Sequence, residues 1–354
     1  MKSYSKINTA SLILAPGVHL LNRDQDSIQV GLNPRTSLVL PKAMLAILKK
    51  CDGYTTVTQI HKLAQLNGLD PESTLETLNL MVDQGLLRKV DPQIESLSAN
   101  QQSHYLDSSR SVGFAAEKIN QRATKRLAVV GGGRLGTTIS ILLGNSGFSN
   151  LRILDSSPVT LNDISPWGAS RLDVGLRRDF VIQTMLERIH RGQLKTMRTK
   201  ESRVKPDLII YAPDPVSEIP WLDPNLANWA IELDVPYLVA SSSPIESFVS
   251  SVLIPGKSGC IRCYHQHQTD RDPIWPKLIA QLVGKVSPDF TPTDLVLRTG
   301  LFAFQQICKW FDEPAVNSST WWALTTTDPI VEFEIPPHSE CGCIWQLPDV
   351  RAAI

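Results

Sequence analysis

Neither sign of charge prevails in this chain of 354 residues, where 35 lysines and arginines meet 35 aspartates and glutamates. A protein that holds nucleic acid by its phosphates needs a basic surplus, so the balance argues against that class, although a local basic patch would escape the count. Long apolar runs are missing too. The one near the N-terminus, in "MKSYSKINTASLILAPGVHLL", breaks at Pro16 and Gly17. It is too short for the core of a secretory signal, and nothing approaches the roughly 18 residues of a membrane span. These absences lead us to expect a cytoplasmic protein with neither nucleic acid nor membrane as partner. Cysteine is scarce, with six in all. In a reducing compartment that number makes no disulfide framework, and closely spaced pairs point instead to metal.

At roughly 100–200 residues per domain the length accommodates two domains. From Val18 the pattern is that of a small α+β unit. "VHLLNR" and "SIQVGL" predict two short strands around a polar turn at Asp24–Asp26. Three helices are expected next: Lys42–Lys50, punctuated by Gly53; Val57–Leu66, with Thr56 as N-cap; and Pro71–Gln84. Asp70 caps the third, and Pro71 takes the first helical position, where a missing N–H costs nothing. Leu75, Leu78 and Val82 share one face of that helix. "GLLRKV" adds a final strand or wing, which makes a winged-helix-like module over residues 1–92. A Ser- and Gln-rich linker containing one helix is expected over 93–124.

Beyond it, strands and helices alternate. Strands are predicted at Arg126–Val130, Leu151–Asp155, Asp207–Ala212, Tyr237–Ser241 and Phe248–Ile254, with helices between most of them. A longer helix, Thr293–Phe311, carries Val296, Phe304 and Ile307 near one face, and "WWALTTT" and "IVEFEI" read as two closing strands. The alternation predicts an α/β fold over 125–354: a Rossmann-like, mostly parallel sheet with helices on both faces.

"RLAVVGGGRLGTT" places Gly131, Gly133 and Gly136 in a G-x-G-x-x-G loop directly after an apolar strand and at the opening of a helix. The first glycine makes the tight turn, the second lets backbone approach a phosphate, and the third lets the helix pack on the strand. The helix N-terminus offers N–H groups to the anion. Asp155 closes the second strand, where an acid bonds ribose hydroxyls. NAD and ATP both fit such a loop. Two cysteine pairs complete the inventory: Cys260 and Cys263 in "GKSGCIRCYHQHQ", and Cys341 and Cys343 in "PHSECGCIW". Zinc takes four thiolates tetrahedrally from two short loops, so these four are expected to form a closed, structural Zn²⁺ site that pins the C-terminal tail. His265 and His267 are alternative donors, and Cys51 and Cys308 read as buried thiols.

A nucleotide loop, a C-x-x-C after a later strand and a second pair near the C-terminus resemble the ThiF/MoeB-type adenylating enzymes, bacterial relatives of ubiquitin-activating enzymes. The resemblance spans Lys125 to Cys343. It implies ATP·Mg²⁺, action on the C-terminus or backbone of a peptide or small protein with adenylation of the C-terminal carboxylate, a Cys₄ zinc and a homodimer. "CIRCYHQHQTDRDPIWPKLIAQL" is similar to a subgroup linked to azole-peptide cyclodehydratases, and the module ahead of it resembles a leader-peptide recognition element. Its peptide groove is expected at a sheet edge between "SIQVGL" and the third helix, lined by Val30, Leu32 and the Leu75–Val82 segment. The same two-domain order occurs in microcin-type peptide adenylating enzymes. Residue by residue, the resemblance assigns the phosphate loop to Gly131, Gly133 and Gly136, the ribose acid to Asp155, the Mg²⁺ acid to Asp214, and zinc to the four cysteines.

Departures from the family accompany the matches. Ser157 stands at a second acid, Asp163 at an asparagine, Pro166 at an arginine, and Arg178 at the lysine that meets phosphate. A guanidinium keeps the charge but binds through a wider planar fork. Removing one preorganised electrostatic donor typically costs roughly 10²–10³ in rate, and Arg171, Arg177 and Arg178 are the nearby cations available to compensate. Two functions follow as expectations: an ATP-dependent adenylyltransferase with an altered site, with Arg178 and Asp214 as its catalytic residues, or a non-catalytic, leader-binding scaffold that serves a separate modifying enzyme. An oxidoreductase would have no use for the cysteine clamp. A winged-helix transcription factor lacks the basic third helix.

Overall fold

The computed structural model describes residues 11–15, 17–89, 114–190, 204–217, 220, 222–285, 287–313 and 319–344. The chain divides into two compact units, Met1–Gln121 and Arg122–Ile354. Of the linker expected over 93–124, residues 93–113 lie outside the described residues.

In the first unit, strand β1 is Ser11–Leu14, β2 Leu20–Asn22, β3 Ser27–Val30 and β4 Leu38–Pro41. Helix α1 is Met44–Leu48, β5 Asp52–Thr56, α2 Val57–Leu66, α3 Pro71–Asp83 and β6 Leu87–Lys89. The strands form two three-stranded antiparallel sheets, ordered β2-β3-β4 and β5-β1-β6. The β2–β3 turn forms because the Asp24 carboxylate accepts the N–H groups of Asp26 and Ser27, at 2.9 and 2.7 Å. Such Asx bonds replace the ladder where the chain reverses. Helix α2 starts at a capping box in which Thr56 and Gln59 satisfy each other's backbone N–H. The Asp70 carboxylate accepts the Ser73 N–H at 2.8 Å and starts α3. Ile28, Val30, Ile47, Leu48, Ile60, Leu78, Met81 and Leu87 make the core.

One expectation needs correcting here. A peptide groove along "SIQVGL" requires a free edge on β3, yet β3 is the central strand and pairs on both sides. Val30 is fully buried in the unit's own core, whereas Leu32 is 71% exposed. The free edges of this sheet belong to β2 and β4.

The second unit holds a seven-stranded sheet. Its strands are β7 (Arg126–Val130), β8 (Asn150–Leu154), β9 (Leu208–Tyr211), β10 (Tyr237–Ser242), β11 (Ser247–Ser250), β12 (Thr320–Leu324) and β13 (Val331–Glu334). Their order is β13-β12-β11-β10-β9-β7-β8. From β8 to β10 neighbours run parallel, and from β10 to β13 they run antiparallel. Strands β9 and β10 are buried along their whole length, as expected of strands covered on both faces.

Helix α4 (Phe114–Thr124) precedes β7, and its Arg122 pairs with Asp312 and donates to the Ser146 carbonyl. On one face of the sheet lie α5 (Arg134–Asn145), α6 (Arg178–His190) and, after the short α7 (Asn228–Glu232), α8 (Ile261–Arg271) and α9 (Trp275–Ala280), the long α10 (Thr293–Asp312). The core on that face includes Leu135, Ile139 and Leu143 of α5 and Leu295, Val296 and Ile307 of α10. Each such side chain is worth about 1.5–3 kcal/mol on full burial. Gly300 lets α10 approach α5, because a Cβ there would fall 2.5 Å from the Thr138 Cγ2. The opposite core contains Tyr211, Tyr237, Trp321, Cys260, Cys263 and Cys343.

Candidate functional site

The chain passes from β7 to its neighbour β8, then crosses to β9 on the other side of β7. Ligands of open α/β sheets bind at such a reversal, outside the carboxyl ends of the strands. Three of the expected residues follow those ends directly: Gly131 after β7, Asp155 after β8 and Asp214 shortly after β9.

The glycines are demanded by close approach. Gly131 has φ +104°, and a Cβ there would lie 2.0 Å from the Ala212 carbonyl oxygen. A Cβ on Gly136 would fall 2.0 Å from the Gly131 oxygen, and one on Gly133 would fall 2.1 Å from the Asp214 Oδ1. Gly133 is also the N-cap of α5 and offers no side-chain cap, so the first turn keeps its N–H groups for another acceptor. The Asp155 carboxylate accepts the Gly132 N–H at 2.7 Å and the Ser157 N–H at 2.9 Å. Burial opposes its charge, but these bonds and Arg178 outweigh it and hold the carboxyl below its ordinary value.

Arg178 is the centre of the site. Its Nη1 donates to the Asp214 Oδ2 at 2.6 Å and to the Asp155 Oδ2 at 3.1 Å. Its Nε and Nη2 donate to the two oxygens of Asp163, at 3.2 and 2.6 Å, in a bidentate fork. The Arg178 and Asp163 side chains are 9% and 5% exposed. Burial works against the guanidinium, but Asp214 and Asp163 together hold its pKa above the ordinary arginine value. Asp214 is the group that faces solvent, with 37% of its side chain exposed. Desolvation and the like charges of Asp163 and Asp155 push its carboxyl up in spite of Arg178. Three carboxylates around one guanidinium leave a net charge near −2, which attracts a divalent cation and repels a bare triphosphate.

Asp163 is the residue that sequence reasoning undervalued, since it was noted only as a departure from an asparagine. It sits on a 3₁₀ turn, Leu161–Asp163, where its Oδ2 also accepts the Thr160 N–H at 2.7 Å. Of the other cations, Arg177 is exposed and turns to Asp179, with bonds of 3.0 and 2.5 Å, and Arg171 lies on an exposed turn.

The four cysteines come together. The sulfurs of Cys260, Cys263, Cys341 and Cys343 lie within 4.8 Å of one another. The Cys260–Cys263, Cys260–Cys341 and Cys263–Cys343 separations are 3.8, 3.5 and 3.3 Å. A Zn–S bond of about 2.3 Å in tetrahedral geometry requires S–S edges of about 3.8 Å, so the donor set and its spacing suit Zn²⁺. The His338 N–H donates to the Cys263 sulfur at 3.2 Å. Contact with Cys263 and burial push the Cys260 thiol up to about 12. A bound cation would reverse that and hold thiolates. His265 is spoken for: its Nδ1 accepts the Trp275 Nε1–H at 3.1 Å, so Nε2–H donates to the Leu222 carbonyl at 2.6 Å. No described helix is long and apolar enough to cross a membrane.

A Rossmann-type sheet with a glycine loop at its switch point, joined to a cysteine quartet that gathers the tail, defines a nucleotide-type α/β protein. The chain belongs to the ThiF family, whose profile matches residues 109–286. Curated protein sequences give no match. Among solved structures it is similar to the E. coli protein MccB solved with AMPCPP and MccA, at TM-score 0.59 and 12% identity, over 94% of this chain and 98% of that one. MccB with ATP gives TM-score 0.57 and 13% identity, over 94% and 99%. The heterocyclase TruD gives TM-score 0.53 and 14% identity, over 94% of this chain but 42% of that one. At these identities the likeness is one of fold.

Proposed function

We propose that this chain is a ThiF-type protein of peptide modification. Its ThiF unit takes ATP·Mg²⁺ at the glycine loop and adenylates a carboxylate of a peptide or small protein, while the N-terminal, winged-helix-like unit docks the peptide. The observation that carries the reading is the convergence of the Gly131–Gly136 loop, Asp155 and Asp214 at the carboxyl ends of three adjacent parallel strands. The fold likeness to MccB, solved as a microcin C7 biosynthetic enzyme with N-formylated MccA, supports it. In this reading Asp155 serves the ribose hydroxyls, Asp214 the Mg²⁺ and Arg178 a phosphate, while the cysteine quartet holds a structural Zn²⁺. A peptide carboxylate oxygen bonds to the α-phosphorus as the bond to the bridging oxygen breaks and pyrophosphate leaves. The peptide edge in the N-terminal unit is β4, which pairs with β3 on one side and carries the half-exposed Val39. An extended peptide pairs with such an edge. We take the assembly to be a cytoplasmic homodimer.

A second reading, the non-catalytic leader-binding partner of a separate modifying enzyme, is favoured by one observation. Four of the five Arg178 N–H groups are already given to carboxylates, so phosphate takes two bonds from it only by displacing one of them. Pyrophosphate exchange with ATP, Mg²⁺ and candidate peptides decides between the two. Adenylation predicts peptide-dependent exchange that falls at least about 10²-fold in Asp214→Asn. Tight peptide binding without exchange supports the partner reading instead.

A further inference from the structure

The tail segment that the cysteines gather also carries His338, and it lands beside two potential metal ligands that neither the nucleotide chemistry nor the quartet uses. One donor atom from each of His267, Asp270 and His338 lies within 4.8 Å of the others. His267 and Asp270 stand three residues apart on α8, a spacing that puts both side chains on one helix face. We infer that these three residues form a second metal site, for a divalent first-row transition ion.

The chemistry of the donors fits. Imidazole and carboxylate together suit zinc, iron, nickel and cobalt rather than calcium or magnesium. A metal-bound histidine almost always donates its other ring N–H to a carbonyl or carboxylate, which fixes the tautomer. His267 has that arrangement: its Nε2 lies 2.9 Å from the Pro336 carbonyl, which can only accept, so Nδ1 keeps a lone pair. The His338 Nε2 lies 2.9 Å from the Asp270 Oδ2, and its Nδ1 accepts the Glu340 N–H at 3.1 Å. With no ion bound, the Nε2 proton fills the space between His338 and Asp270. Coordination through Nε2 moves that proton to Nδ1 and gives up the Glu340 bond, so binding here is weaker than in a four-thiolate site.

Three protein ligands leave coordination positions for water or a ligand oxygen. His267 and Asp270 also line a cavity of about 630 Å³ between α8 and the antiparallel half of the sheet, walled by Phe248, Tyr264 and Phe333. The site therefore opens onto a space large enough for a small organic ligand, on a part of the molecule distinct from the glycine loop.

The test is a titration of the full-length protein, carrying one equivalent of zinc, with Co²⁺. We expect one further equivalent to bind with d–d absorption and no thiolate-to-cobalt charge-transfer band. His267→Ala, Asp270→Asn and His338→Ala should each weaken that event at least tenfold (about the lower bound for losing a ligand's orienting partner), with the first zinc retained. If His338→Ala disturbs the quartet, the two helix variants decide, since they change side chains alone and the His267 and Asp270 side chains bond Pro336 and His338 rather than a cysteine. The inference is overturned if Co²⁺ enters only with charge-transfer absorption, if no second equivalent binds, or if His267→Ala and Asp270→Asn take up Co²⁺ as tightly as the wild type.

Discussion

Replacing Arg178 by methionine removes the one cation from a cluster of three carboxylates, and the structure says which of them suffers. Asp155 keeps the N–H groups of Gly132 and Ser157. Asp214 is the most exposed of the three, with 37% of its side chain open to water, so it can turn to solvent when its partner goes. Asp163 is the orphan: at 5% exposure its Oδ2 keeps Thr160, but no bond to Oδ1 remains of those described. Removing one partner of a buried pair costs about 3–5 kcal/mol. With one damaged carboxylate and half its bonds retained, the expected loss is at the lower end, about 3 kcal/mol. The sign with pH follows. Arg178 is one of the groups that hold the Asp155 carboxyl below its ordinary value, so removing it costs most where that carboxylate is ionised in both states. The Asp155 pKa lies below its unfolded value, so its contribution is present above that unfolded value and is lost as pH falls through the folded one. The gap between the two proteins therefore narrows as pH falls below about 4. Urea unfolding followed by tryptophan fluorescence measures it, because all eight tryptophans lie beyond Gln121 and report the second unit alone. A variant within about 1 kcal/mol of wild type at neutral pH, or a gap that does not narrow in acid, would refute the argument that this cluster is held by its arginine.

Cys341→Ser should drop zinc content from one equivalent toward none by elemental analysis and lower the melting temperature sharply, since structural zinc contributes about 10–16 kcal/mol of apparent binding energy in small peptides. Zinc at full occupancy in that variant would mean that the quartet is not the site. Asp70→Ala removes the acceptor of the Ser73 N–H and should cost about 1 kcal/mol in the N-terminal unit, read by far-UV circular dichroism during denaturation. No change there would show that Pro71 alone suffices to start α3.

Much of the fold was legible because local chemistry dictates it. The capping residues Thr56 and Asp70 stand where α2 and α3 begin, and the continuous apolar runs at Arg126–Val130 and Leu208–Tyr211 became strands buried between helices. Strands β1, β4 and β5 escaped prediction. β1 and β4 have four residues each, β4 ends in a proline, and "DGYTT" shows no apolar alternation, so their pairing comes from neighbours rather than from their own pattern. With β4 missing from the pattern, β3 reads as an edge strand, whereas the structure gives it a partner on both sides.

By itself, then, the sequence determined a glycine loop that only glycines can build, two cysteine pairs spaced for one ion, and an alternation that leads to an α/β sheet. The tertiary structure alone decided that β7 lies between β8 and β9, and so that Asp155, Asp163 and Asp214 surround one arginine. It alone brought His338 to His267 and Asp270. Local patterns fix dihedrals and faces within a few residues. Which distant side chains meet is set by strand order and by the clamp that returns the tail, and both depend on burial summed over the whole unit.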